Sequence, residues 1–171
     1  MPPLKKYQTF WRRFGAGIVD GILFTPLLWG VHTLLPYADT VHTFVPLFVI
    51  AQFSFITYSV LMHAKFGQTL GKMATNVKVL DISEGPLSFE QALMRDAPYL
   101  GILILRSVFG LVWAFDNGVP SFERFLEHNN IVLEFVDSGW FFLEVTTMLF
   151  SDKRRALHDY IADSVVVKIQ D

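Results

Sequence analysis

The sequence has no cysteine in 171 residues, which excludes a disulfide framework and a thiolate metal site. Charged residues make up only 18% of the chain, and a formal net charge of −2 argues against the basic surface that nucleic-acid binding requires. No histidine pair has metal-ligand spacing, and no Ser/His/Asp or Cys/His arrangement indicates a nucleophile. We therefore expect a protein that is not an enzyme and that has no metal, no cofactor and no nucleic-acid partner.

Apolar residues, in contrast, make up 52% of the chain, with 17 Phe and 4 Trp. Four apolar runs cover about residues 14–35, 43–64, 99–118 and 131–150, each close to the roughly 20 residues that cross a bilayer as a helix. The first run is too long for the core of a signal peptide and lacks an Ala-x-Ala site, so we expect a retained helix. The pattern predicts an all-α membrane protein, a single domain over residues 1–171 that forms a four-helix transmembrane bundle in the lipid bilayer.

The polar loop 65–98 and the polar tail 151–171 each contain a short β-branched stretch. Residues 77–80 and 164–167 are rich in valine, which is typical of strands. Because isolated strands of this length are unstable, we expect the two to pair as a small cytoplasmic β element. Ser88 and Gln91 have the spacing of a capping box and predict that a helix starts there and covers residues 88–95.

The distribution of Lys and Arg predicts the orientation. The N-terminal tail, the loop 65–98 and the C-terminal tail hold four basic residues each, whereas the two outer segments together hold one, Arg124. Basic residues accumulate in cytoplasmic loops. We therefore expect a multi-pass protein of an inner or plasma membrane with both termini in the cytoplasm.

Asp20 lies inside the first apolar run, and Arg13 lies at its mouth. Seven residues separate them, about 10 Å along a helix. A carboxylate at membrane depth costs roughly 2.5–3.5 kcal/mol and therefore needs a partner, a water-filled cavity or a proton. His158 and Asp159 follow the last apolar run and bring a second aspartate next to basic residues. The four residues are either an ion or proton path, with Asp20 as the binding group and His158 as a shuttle, or a salt-bridged clamp that fastens the tail beneath the first helix.

A second polar cluster is predicted deeper in the bundle. Arg106 lies in the middle of the third run and requires a counter-charge there. Glu134, Asp137 and Glu144 share one face of the fourth helix, because Asp137 and Glu144 follow Glu134 by three and ten residues. The cluster is either a polar pathway or one buried pair, of Arg106 with Glu134 or Asp137, with the other acids near the helix ends.

The segment Gly67-Gln68-Thr69-Leu70-Gly71-Lys72 is one residue too short for a phosphate-binding loop, and Met73 replaces its Ser/Thr. It favours a turn at the membrane surface. Together with one arginine and two aspartates, however, this motif resembles the RDD family of membrane proteins. The resemblance matches Arg13, Asp20 and Asp159 to the three residues of the family name, and Arg95 to an arginine that follows the valine-rich segment. Asp163 stands where the family often has a small residue, and the preceding histidine favours Asp159 as the matching aspartate.

The resemblance implies a single RDD-type membrane domain and an association with transport, in some members with sodium–proton exchange. It fixes no substrate. The leading hypothesis is transport of an ion or small solute, with Asp20 as a cation- or proton-binding group. The alternative is a non-catalytic membrane scaffold or assembly module in which the Arg/Asp cluster is structural. A four-span chain is small for a transporter, and a homo-oligomer would fit either hypothesis.

The predicted topology can be tested by cysteine labelling, because the natural chain has no cysteine. Single cysteines at Asp39 and Glu123 should react with a membrane-impermeant maleimide added to intact cells. Cysteines at Gln8, Glu84 and Gln170 should react only after permeabilisation, since they lie on the basic, cytoplasmic side. Labelling of the Glu84 variant in intact cells would contradict the orientation.

Overall fold

The computed structural model describes residues 5–117 and 122–169, without the side chains of residues 41, 110, 113–117 and 122–134. The fold is mostly helical, with one small sheet. The helices are α1 (Phe10–Leu34), α2 (Val41–Phe66), α3 (Leu70–Ala74), α4 (Phe89–Asn117), α5 (Phe122–Phe150) and α6 (Leu157–Ile161), and the strands are β1 (Val77–Asp81) and β2 (Ser164–Lys168).

Two segments are long and apolar enough to cross a membrane, Lys5–Tyr37 with a mean hydropathy of 1.5 and His42–Phe66 with 1.9. They contain the first and second predicted spans. The third and fourth runs are helical, as α4 and α5, but no further helix meets the same criterion within the residues that the structure describes. The mostly helical fold with one small sheet is therefore confirmed, and the first two predicted spans lie in helices that could cross a membrane by length and composition.

Helix boundaries follow local capping signals. Ser88 and Gln91 form the predicted capping box, with Ser88 N donating to Gln91 Oε1 at 3.0 Å and Gln91 N donating to Ser88 Oγ at 3.1 Å. The helix that begins here continues through Pro98 into the third apolar run, so the two helices predicted separately are one. At the end of α2, Gly67 adopts a left-handed conformation with φ of 69°, and a Cβ there would lie 2.7 Å from the carbonyl oxygen of Val79. Gly67 therefore allows the chain to turn sharply beneath the bundle.

The predicted strand pairing is confirmed. β1 and β2 are antiparallel, with Val79 opposite Val166 in the register. One face of the sheet packs against Val60 of α2 and Ala92 of α4, and the other face packs against Tyr7 near the N-terminus. The pairing draws the C-terminal tail, including α6, back under the helices.

The long helices are arranged in the order α1, α2, α4, α5. The most extensive contact joins α2 to α4, while α1 packs against α2 and α3, and α5 packs against α4. Within the described parts of the chain, α1 and α5 do not pack extensively against each other. The four helices surround a cavity of about 700 Å³, which contains the polar residues discussed next.

Candidate functional site

Asp20 is buried, with 3% of its surface exposed, and its partners come from α2 and from the turn that begins at Gly67. Its Oδ2 accepts a hydrogen bond from Thr69 Oγ1 at 2.6 Å. Its Oδ1 accepts from the backbone N–H of Gly71 at 2.8 Å and from Tyr58 Oη at 2.9 Å. An ionised carboxylate can only accept hydrogen bonds, so three neutral donors satisfy this charge without a cation.

The sequence of the turn explains this geometry. Thr69 caps α3 by accepting a hydrogen bond from the backbone of Lys72 at 3.2 Å. Gly71 lies so close to α1 that a Cβ would be 2.1 Å from the Ala16 carbonyl oxygen and 2.8 Å from Asp20 Cγ. The motif that resembles a phosphate loop is therefore a binding turn for Asp20. Sequence reasoning missed this role; the available signal was two glycines around a threonine, beside an aspartate that lacked a partner.

Asp159 has no exposed surface and holds the tail against two long helices. Its carboxylate lies 2.8 Å from Arg13 Nη1 of α1 and 2.7 Å from Arg95 Nη1 of α4. It also accepts from the backbone N–H of Ala156 at 2.9 Å, which caps α6. Burial by itself raises the pKa of Asp159. The two positively charged guanidinium groups outweigh this effect, so that the pKa lies well below its ordinary value of 3.8.

His158 lies against the same two arginines. Its Nε2 is 3.1 Å from Arg13 Nη2 and 2.8 Å from Arg95 Nη2, and both guanidinium groups can only donate. Nε2 therefore carries no proton, and the Nδ1–H donates to Glu144. Glu144 also accepts from Tyr99 Oη at 3.1 Å. His158 is thus a neutral link between the arginine pair and α5.

The structure brings together three of the four residues predicted for the ion or proton path. Arg13, His158 and Asp159 are in direct contact and fasten the tail to α1, as the predicted clamp requires, but Asp20 takes no part in this contact and binds the α3 turn. Their spacing along α1 placed Arg13 and Asp20 on one side of the helix, but it could not show that each of them contacts a different segment of the chain. The side chain of Asp163 is 76% exposed, so Asp159 is the buried aspartate of the tail.

A further polar chain, which sequence reasoning missed, crosses the inner end of the cavity. Ser59 Oγ donates to Asp96 Oδ2 at 2.9 Å and lies 3.2 Å from His63 Nδ1. Lys72 Nζ is 2.9 Å from His63 Nε2 and can only donate to it. The hydrogen bonds therefore run from Lys72 to His63, from His63 to Ser59 and from Ser59 to Asp96. These residues come from α2, α3 and α4, and each alone is an unremarkable polar residue in the sequence.

Lys72 differs from the other basic residues of the site. Among the described side chains it forms no ion pair within 4.0 Å, and its side-chain hydrogen bond is to His63. Burial lowers the pKa of Lys72, and the charges of Arg95 and Arg13 lower it further, to about 7. The side chain is half-buried and lines the cavity. Lys72 can therefore change its protonation near neutral pH.

The second polar cluster contains the predicted pair of Arg106 and Asp137, but the two side chains are 32% and 44% exposed and not buried as predicted. Arg106 Nη2 lies 2.6 Å from Asp137 Oδ2, which confirms the contact between the third and fourth runs. Both residues line the cavity. The side chain of Glu134 lies outside the described residues. Across the described side chains, no group of three or more His, Asp or Glu residues is placed to hold a metal ion.

Gly71 provides a direct test of the contact between α1 and the α3 turn. Gly71→Ala should lower the free energy of unfolding by about 1–3 kcal/mol, because the added methyl group overlaps the backbone of Ala16 and must push the turn away. Gly21→Ala is the matched control, since a Cβ at Gly21 meets nothing within 4 Å and alanine favours the helix. Thermal unfolding in detergent measures both, and equal melting temperatures for the two variants would contradict the contact.

The ion pairs of Asp159 predict a loss of stability in acid. Its pKa is lower in the folded than in the unfolded protein, so its stabilisation is complete above about pH 4 and is lost as the pH falls through the lower, folded value. Asp159→Asn should lose about 3–5 kcal/mol at pH 7, because two buried guanidinium groups lose their counter-ion. The difference in melting temperature between wild type and variant should be constant down to about pH 4 and shrink as the pH falls from about 4 to about 3. A difference that stays constant over this range would contradict the ion pairs.

Comparison with known proteins identifies a family of membrane proteins. The uncharacterized membrane protein YteJ of Bacillus subtilis (strain 168) is 25% identical over 172 residues, which cover 94% of this chain and 80% of that protein. No solved structure matches the chain. Residues 7–163, which include Arg13, Asp20 and Asp159, match the sequence model of the RDD family. The resemblance seen in the sequence is confirmed, and the chain belongs to the RDD family of membrane proteins.

Proposed function

We propose that this protein is a multi-pass transporter of an ion or small solute, with four spans and both termini in the cytoplasm. Exposed apolar side chains on α4 and α5 support the two additional spans. Phe109 and Val112 on α4 are 55% and 54% exposed, and Phe135 and Phe142 on α5 are 75% and 66% exposed. In water such surfaces would be costly, whereas in a bilayer they face lipid.

The observation that carries the proposal is the cavity with a chain of polar groups at one end. Protein interiors are normally packed without space for more than single water molecules. Here about 700 Å³ lies between the four helices, and Lys72, His63, Ser59 and Asp96 all line it. Ionisable groups that face such a space inside a membrane protein are typical of substrate and proton paths.

The geometry favours Asp96, instead of Asp20, as the cation-binding carboxylate. Donors from the protein already occupy three of the roughly four hydrogen-bond sites of the Asp20 carboxylate. Within the described part of the chain, the Asp96 carboxylate accepts one side-chain hydrogen bond, from Ser59, and it lines the cavity. Lys72 is the proton-exchanging group in this scheme, because a cation near Asp96 repels the proton on Lys72 and favours its release.

The scaffold hypothesis remains the second candidate, and the ion pairs of Asp159 favour it. Asp20 fastens the α3 turn to α1, and Asp159 fastens the tail to α1 and α4, so the residues of the family name all serve to hold the structure together. In a scaffold, these residues would have no role other than to stabilise the fold. The two candidates differ in one measurable property, because only a transporter moves an ion across a sealed membrane.

Ion flux in proteoliposomes tests the proposal. A pH dye inside the vesicles should report proton movement when Na⁺, K⁺ or Li⁺ is added outside to wild-type protein. Asp96→Asn and Lys72→Gln should abolish this movement with little change in melting temperature, since neither residue belongs to the Asp159 ion pairs. Asp163→Asn is the matched control, because that side chain is largely exposed and does not line the cavity. No cation-dependent movement in wild type, or full activity in Asp96→Asn, would contradict the proposal.

A further inference from the structure

The size of the cavity indicates what kind of solute it holds. A volume of about 700 Å³ corresponds to roughly twenty water molecules at ~30 Å³ each. An inorganic ion with its ligands needs only a small fraction of this space. Sites for organic molecules, in contrast, have about 300–1,000 Å³. The cavity therefore fits an organic molecule much better than a bare ion.

The charges at the inner end of the cavity indicate the sign of the solute. His63 and His158 are neutral, because each Nε2 accepts a hydrogen bond from a basic side chain. Arg106 and Asp137 neutralise each other. The remaining charged groups of the lining are three carboxylates, Asp20, Asp96 and Glu144, and three basic side chains, Arg13, Lys72 and Arg95. Asp159 does not line the cavity, but it pairs with Arg13 and Arg95, so that one negative charge is left over in the whole group. This negative charge favours a cation over an anion.

The remaining walls of the cavity are aromatic and aliphatic. Phe10 and Phe14 of α1, Phe55 of α2 and Phe141 of α5 all line it. Aromatic rings bind organic cations through their negatively charged faces, and they also provide apolar contact. The combination of an acidic end with apolar walls suits a molecule that is both charged and lipophilic.

The cavity also has an opening on the side of the bundle. Phe14, Ile18 and Phe141 line the cavity, yet they are 53%, 51% and 53% exposed, so they lie at its mouth. They belong to α1 and α5, the two helices that do not pack extensively against each other in the described part of the chain. If these helices span the membrane, the opening faces the acyl chains of the lipids.

We propose that the cavity binds a monovalent lipophilic organic cation, of the quaternary ammonium or phosphonium class, which enters from the bilayer between α1 and α5 and places its charge beside Asp96. This inference names the substrate class of the proposed transporter and rests on that proposal for the transport step alone. In exchange, each cation that binds releases one proton from the Lys72 ammonium group to water, so that the charge of the site stays constant.

Two ions of the same shape and opposite charge test the inference. Binding of tetraphenylphosphonium and of tetraphenylborate to the full chain in lipid nanodiscs is measured by equilibrium dialysis, with empty nanodiscs as the blank. Tetraphenylphosphonium should bind saturably, and tetraphenylborate should not. Asp96→Asn should weaken the phosphonium affinity by about ten-fold or more, since it removes the partner charge. Asp163→Asn should leave the affinity within about two-fold of wild type, since this largely exposed side chain does not line the cavity. Saturable borate binding of equal strength, or unchanged affinity in Asp96→Asn, would overturn the inference.

A second pair of variants tests the entrance, even if Asp96→Asn fails to fold. Ile18→Trp places a large side chain at the mouth and should slow phosphonium association by at least about ten-fold. Ile22→Trp is the matched control, because Ile22 is 65% exposed on the same helix but does not line the cavity. Equal association rates for the two variants would overturn the lateral entrance.

Flux measurements separate this inference from the proposed function. Saturable, Asp96-dependent phosphonium binding without any flux in proteoliposomes would support the site and contradict transport. Cation–proton exchange with Na⁺ or K⁺, but without phosphonium binding, would support transport and overturn the organic-cation site.

Discussion

The buried carboxylate of Asp159 is the interaction on which the rest of the arrangement depends. It lies in the short helix α6 of the tail, and it binds Arg13 from α1 and Arg95 from α4. A carboxylate with no exposed surface would be strongly destabilising without such partners. With them, one residue joins the tail to two helices that are separated by more than fifty residues in the chain. His158 then extends the same group of charges to Glu144 of α5.

Asp20 also joins distant parts of the chain, but with uncharged partners. Its hydrogen bonds with Thr69 and Gly71 hold the turn after α2 against α1, and Gly71 allows the two backbones to meet. This contact places Lys72 at the inner end of the cavity, near His63 of α2. The aspartates of the family name, Asp20 and Asp159, therefore hold segments of the chain in place. Their hydrogen-bonding capacity is used within the protein, and the groups left with few partners are Lys72 and Asp96.

This division of labour has an electrostatic consequence. Saturated ion pairs are rigid and change little when a cation approaches, because each charge already has its counter-charge. Asp96 and Lys72 line the same cavity, and in the described structure these two side chains do not form an ion pair with each other within 4.0 Å. Such groups respond to a neighbouring charge by gaining or losing a proton. In the proposed transporter, the saturated residues build the walls and the unsaturated residues carry out the exchange.

The sequence by itself determined the features that depend on local patterns. Apolar runs gave the long helices, Ser88 and Gln91 gave a helix start, and two valine-rich stretches gave a paired sheet. The mid-span Arg106 indicated an acidic partner, which is Asp137. Only the tertiary structure decided which partner each of the other charges has. Periodicity and capping are encoded within a few residues, whereas the contacts of Asp20 with Gly71 and of Lys72 with His63 depend on how α1, α2 and α3 pack. A buried charge shows that a partner is required, but many donors along the chain can meet that requirement, and only packing selects among them.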